Sequence, residues 1–142
     1  MINFFNNKEK DKTDSNETYS KIASLLIHAA KIDQNYTEKE EEIIKKTLID
    51  LGANSSVIDN IVSSATIIEE NSNQILDFTK EIKSLAQSEK IMIIESLWKI
   101  IYSNDDADLY EANLMRRLSG LLYIDAKIMG DLKEKVKKIL SK

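Results

Sequence analysis

The chain contains no cysteine and no proline, only three glycines, and a single histidine in 142 residues. Without cysteine there is no disulfide framework, no thiolate nucleophile, no thiol redox switch and no Cys-type zinc site. One histidine, His28, excludes a multi-His metal centre within one chain. The absence of proline and the scarcity of glycine remove most turn-forming and strand-ending chemistry. No apolar run approaches the ~18–20 residues that span a bilayer. Excess positive charge is lacking too: the formal net charge is −4, so nucleic acid, which needs clustered Lys and Arg, is not an expected partner. The N-terminal "MINFFNNKEK" lacks a basic start followed by a long apolar core, so no secretory signal is expected and the expected location is cytoplasmic. No phosphate-cradling Gly loop and no nucleophile with a neighbouring base is present, so a non-enzymatic protein is expected.

What remains is 42% apolar and 31% charged residues arranged with helical spacing. This predicts an all-α fold: a single compact domain of about seven helices over residues 17–142, after a flexible lead-in at 1–16. Phe4 and Phe5 in that lead-in could touch lipid headgroups, but five residues bind a membrane weakly. Helix 1 is expected at 17–32, nearly apolar all round in "LLIHAA", with His28 on its flank. Helix 2 follows at 38–51, with Gly52 supplying the left-handed position after its end. Helix 3 is expected from Ser56, a cap with Asp59 as its partner, to Glu70. Helix 4, at 74–86, would turn Ile75, Leu76, Phe78, Ile82 and Leu85 inward. Ser88 would cap helix 5, at 89–103, in which Trp98 reads as packing mass rather than a ligand platform. Helices 6 and 7 are expected at 109–122 and 126–140, the last capped by Asp125. The Lys133, Lys135, Lys137 and Lys138 run suits a helix C-terminus by complementing its dipole.

A repeat links the two halves. Matching Leu26 with Leu97 aligns "LIHAAKIDQNYTEKEEEIIKKTL" with "LWKIIYSNDDADLYEANLMRRLS". Asp33 then falls on Asn104, Thr37 on Asp108, Glu40 on Glu111 and Ile43 on Leu114. Each unit is an apolar helix, a short polar loop and a capped amphipathic helix, so a duplicated helix–loop–helix is expected.

The segments "ASLLIHAAKIDQNYTEKEEEII" and "ESLWKIIYSNDDADLYEANLMRRLSGLL" resemble the two signature segments of the TerB-like tellurite-resistance family, a likeness covering about residues 21–140. The resemblance implies an all-helical single domain associated with bacterial stress and tellurite resistance, whose acidic loop positions are suspected divalent-cation ligands. A related domain precedes the J-domain of a membrane-anchored co-chaperone, although this chain has no His-Pro-Asp triplet. Where the family commonly has Asp-Gly in each loop, this chain has Asp33-Gln34 and Asn104-Asp105.

Two readings of the acids stand side by side. "TEKE" at 37–40 and "DLYE" at 108–111 match capping boxes, which account for Glu40 and Glu111 without a ligand. Glu41 and Glu42 precede Lys45 and Lys46 by four residues, as surface pairs do. Capping does not account for Asp33 at a helix C-terminus, where the dipole disfavours negative charge. Nor does it account for Asp105, Asp106 and Asp108, which repel one another unless solvated, paired or bound to a cation. Asp33, Glu40, Asn104, Asp105, Asp106, Asp108 and Glu111 are therefore the candidate ligands of a divalent cation, Ca²⁺ or Mg²⁺, in a site that is not an EF-hand. The function expected is a stress-response domain acting through contacts with a protein partner; the alternative is a metal-independent helical adaptor.

Overall fold

The computed structural model describes the backbone of residues 2–31, 36–72, 75–103 and 109–140, and the side chains of residues 16–31, 36–72, 75–103 and 113–140. Seven α-helices and no strand are found among the described residues: α1 (Ile2–Lys31), α2 (Glu38–Asp50), α3 (Ile58–Asn71), α4 (Leu76–Ile82), α5 (Gln87–Tyr102), α6 (Leu109–Leu121) and α7 (Ala126–Leu140). A single 3₁₀ turn, Ser55–Val57, leads into α3.

Apolar spacing decides which helices are central. In α1, Ile22, Ala23, Leu25, Leu26, Ile27 and Ala30 are all at most 1% exposed, and in α5 Ile93, Ile94 and Leu97 are fully buried. Helices this apolar on most faces must be covered by others. α1 packs most extensively on α3 and also meets α2, α4 and α5, while α7 covers α5. Small residues meet at the α1–α3 contact: Ser24 Oγ of α1 donates to the carbonyl of the fully buried Ala65 of α3 at 3.2 Å. At the edge of this contact Lys31 Nζ donates to Glu69 Oε2 at 2.8 Å, and His28 Nδ1 lies 3.4 Å from Glu69 Oε1. Between α2 and α5 the buried hydroxyls of Thr47 and Ser96 lie 2.6 Å apart, which satisfies two polar groups inside the core.

The duplication is larger than the helix–loop–helix read from sequence. With the same offset, α1–α2–α3 matches α5–α6–α7, and α4 joins the two units. Both second helices end in a Schellman motif. The Ala53 amide bonds the Leu48 carbonyl at 2.9 Å and the Gly52 amide bonds that of Ile49 at 3.0 Å. In the other unit, the Ile124 amide bonds the Ser119 carbonyl at 3.0 Å and the Tyr123 amide bonds that of Gly120 at 3.4 Å. Gly52 takes φ +117°, as its position after α2 predicts, and its counterpart Tyr123 takes φ +57°. The carbonyl of the residue that follows the second helix, Leu51 or Leu122, is bonded in each unit by the first helix of that unit. Tyr19 Oη donates to the Leu51 carbonyl at 3.3 Å, and the buried Lys90 Nζ donates to the Leu122 carbonyl at 3.0 Å. Third-helix residues correspond as well: Ile58, Ile61 and Ala65 match Met129, Leu132 and Val136, and all six are buried.

Several element ends differ from their expected places. α1 has helical backbone from Ile2 rather than Glu17, since no Pro or Gly interrupts residues 2–16 and Lys and Glu propagate a helix well. Ser56 does not cap helix 3; Asn54, two residues earlier, accepts the Ser56 amide at 3.0 Å and heads the 3₁₀ turn. Ser88 lies inside α5, whose cap position is Ala86, with the amide of Ala86 donating to Glu89 Oε1 at 3.4 Å. α4 is shorter than expected, and Leu76 is 46% exposed while Ile75, Phe78 and Ile82 turn inward. Asp125 caps α7 as expected, accepting from the Lys127 amide at 3.3 Å.

Gly52→Ala should destabilise the fold by about 1–2 kcal/mol in denaturant unfolding, because a side chain is strained at this φ. The added Cβ would also meet Tyr19 Oη at 3.0 Å.

Candidate cation site

In the sequence, the candidate ligands of the two units follow α1 and α5. Asp33, Asn104, Asp105, Asp106 and Asp108 lie outside the described residues. Glu111 is placed in the first turn of α6 by its backbone, and its side chain is outside the described residues, as are those of Phe4 and Phe5 on α1.

Glu40 is the candidate whose side chain is described. It occupies the third position of α2, and it forms the complete capping box expected from "TEKE". Its Oε1 accepts from the Thr37 amide at 2.8 Å and from Thr37 Oγ1 at 3.0 Å, while the Glu40 amide donates to Thr37 Oγ1 at 3.3 Å. Glu40 is only 1% exposed, which is rare for a carboxylate and tolerable because hydrogen-bond donors and the helix N-terminal dipole meet it. As a donor set for Ca²⁺ or Mg²⁺ this is one oxygen-bearing group whose Oε1 is already committed. Among the described residues no three acidic or His side chains gather closely enough to hold a metal ion.

The helix ends that precede the loops are also partly closed. At the end of α5 the Ile100 carbonyl accepts both Ser103 Oγ at 2.6 Å and the Ser103 amide at 3.2 Å. At the end of α1, Lys31 and His28 supply the basic groups that suit a helix C-terminus, and both face Glu69. The lysines of α7 are likewise engaged with α5. Lys135 pairs with Glu95 at 3.0 Å, and Lys133 and Lys137 sit 5.6 Å and 5.9 Å from the ring centres of Trp98 and Tyr102. Trp98 itself is 6% exposed, in keeping with its reading as packing mass.

Tyr36, which sequence reasoning missed, stands one residue before the cap of α2. It packs against the core, and its hydroxyl is buried with no hydrogen-bond partner among the described residues. Burial, and then the charges of Glu41 and Glu40, push its pKa up to about 12. Its place just before the cap, where an apolar side chain often staples a helix, was the available signal.

Thr37→Ala should cost about 1 kcal/mol by freeing the α2 N-terminus, read by denaturant unfolding. Ultraviolet titration should show a tyrosine step near pH 12, and Tyr36→Phe should remove it. The sign follows from the raised pKa. The stability contributed by neutral Tyr36 is complete below pH 10 and is lost between pH 10 and about 12, as the unfolded chain ionises first.

Comparison with known proteins bears on the whole of this arrangement. The family model described as tellurite resistance protein TerB matches residues 19–134, from Tyr19 at the start of the first unit into α7 of the second. No curated protein and no solved structure matches the chain. No described helix is long and apolar enough to cross a membrane. The matched span takes in both units and α4, and with it the all-helical duplicated architecture: the chain belongs to the TerB tellurite-resistance family.

Proposed function

We propose that this protein is a non-enzymatic stress-response domain of the tellurite-resistance type, which binds a divalent cation at the two duplicated loops and acts through contacts with a protein partner. The observation that carries the reading is the family match across both units. The cation part is supported by the acids that follow the two central helices: Asp33 after α1, and Asn104, Asp105, Asp106 and Asp108 after α5. Carboxylate and amide oxygens of this kind suit Ca²⁺ or Mg²⁺, and the sequence carries no Cys, His or Met at positions 32–37 or 103–108. Glu111 and Glu40 stand in the first turns of the helices that follow. The non-enzymatic part is supported by the lack of a nucleophile with a neighbouring base and of any Gly-rich phosphate loop. A cytoplasmic location fits a cysteine-free acidic chain.

The capping box of Glu40 favours a second reading, a metal-independent helical adaptor. In that reading the first-turn glutamates serve the helices alone, and the loop aspartates are solvated.

Thermal unfolding with chelator, Ca²⁺, Mg²⁺ or Mn²⁺ separates the two. A cation at a hundredfold excess over its Kd stabilises the native state by about 2.7 kcal/mol, a rise of several degrees in Tm. That rise should vanish in the Asp33→Asn, Asp105→Asn, Asp106→Asn, Asp108→Asn variant. A melting temperature indifferent to cation, or a rise that the variant keeps, rejects the cation reading and leaves the adaptor.

A further inference from the structure

Tyr123 and Leu76 are both placed at a cost to folding. Tyr123 occupies the left-handed position after α6, at φ +57°, where its counterpart in the first unit is Gly52. Glycine serves that position without the steric conflict that an L side chain meets there. Tyr123 is nevertheless 70% exposed, with Lys90 Nζ 5.9 Å from its ring centre. Leu76, the first residue of α4, follows the inward-facing Ile75 and is 46% exposed. The two side chains border one cleft of about 370 Å³ between α4 and the end of α6, together with Lys80, Lys83, Gly120 and Leu121. A Cβ at Gly120 would meet no atom within 4 Å, so this residue leaves the space open.

The charge of the cleft opposes that of the molecule. Among the described residues its charged lining is Lys80 and Lys83, and Asp77 and Glu81 of the same helix are not part of it. The whole chain carries −4. An apolar floor with a cationic border suits an apolar side chain flanked by carboxylates. We propose that the cleft is the docking site for an acidic amphipathic peptide segment of a protein partner, with an apolar side chain seated between Leu76 and Tyr123 and its carboxylates on Lys80 and Lys83. This deepens the protein-contact part of the function proposed above and is independent of its cation part. It also gives the strained tyrosine a role: the left-handed cap holds the ring out from the surface, at a place where the ring can cover a bound segment.

The test uses the full chain in EDTA, so that its outcome is separate from that of the cation reading. The probe is a fluorescein-labelled twelve-residue peptide of Asp and Glu alternating with Leu and Phe, compared by anisotropy with a peptide in which Lys replaces each acid. The acidic peptide should bind, less tightly as salt rises, and the basic one should not. Tyr123→Gly and the Lys80→Glu, Lys83→Glu pair should each weaken binding about tenfold or more. Tyr123→Gly should at the same time melt no lower than wild type, because the left-handed strain is relieved, so that lost binding is not lost folding. The proposal is overturned if the acidic peptide fails to bind, if the variants bind it as well as wild type, or if the basic peptide binds equally. Binding to phosphatidylglycerol vesicles without binding to the peptide overturns it as well, by assigning the cleft to a lipid surface.

Discussion

A helix that ends against a protein core leaves carbonyl oxygens that must find donors, and the geometry of each unit follows from how this is done. The first helix of the unit reaches across to the carbonyl of the residue that follows the second, Leu51 or Leu122, through Tyr19 in one case and Lys90 in the other. Two backbone bonds close the carbonyls before it and turn the chain sharply into the third helix. The third helix is thereby laid back over the first, which buries Ile58, Ile61 and Ala65 in one unit and Met129, Leu132 and Val136 in the other. The Tyr19 bond is worth about 1 kcal/mol net and the charge-assisted Lys90 bond about 1.5–3 kcal/mol, and a buried carbonyl left unbonded costs about 1–3 kcal/mol. The donor can change from phenol to ammonium because its task is only to supply a proton at one place.

Local chemistry was the legible part of the sequence. The apolar stripes of α1 and α5, the capping box at Thr37 and Glu40, Gly52 after α2 and Asp125 before α7 all depend on residues within a turn of one another. The caps that went elsewhere had a nearby competitor: Asn54 stands two residues ahead of Ser56, and Glu89 reaches back to the Ala86 amide rather than starting a helix at Ser88. Leu76 looked inward by spacing, yet a helix as short as α4 can turn only one narrow face to the core. The full size of the repeat was hidden because its key pairs differ in residue type. Tyr19 corresponds to Lys90 and Gly52 to Tyr123, so similarity of letters fades where similarity of role persists. Contacts such as Lys90 with Leu122, 32 residues apart in the chain, have no local signature at all.

The candidate site divides along the same line. Glu40 was readable as a cap because the Thr37 hydroxyl and amide lie within three residues of it. Its near-complete burial was not readable, since that depends on how α2 sits against the rest of the molecule. Asp33, Asn104, Asp105, Asp106 and Asp108 stand in the sequence between the helices and outside the described residues, so the capping of α2 by Glu40 neither uses them nor decides their role. The two units would then share a division of labour. Their helices form the core, and the acids stand in the sequence between the first and second helix of each unit.

The most direct measurement is an amide-resolved nuclear magnetic resonance titration of the ¹⁵N-labelled protein with Ca²⁺ and with Mg²⁺. The account predicts saturable shifts confined to residues 33–40 and 104–111, at both loops, with the buried amides of α1 and α5 unmoved. Spectra that do not change, or that change only at scattered surface acids without saturation, would contradict it.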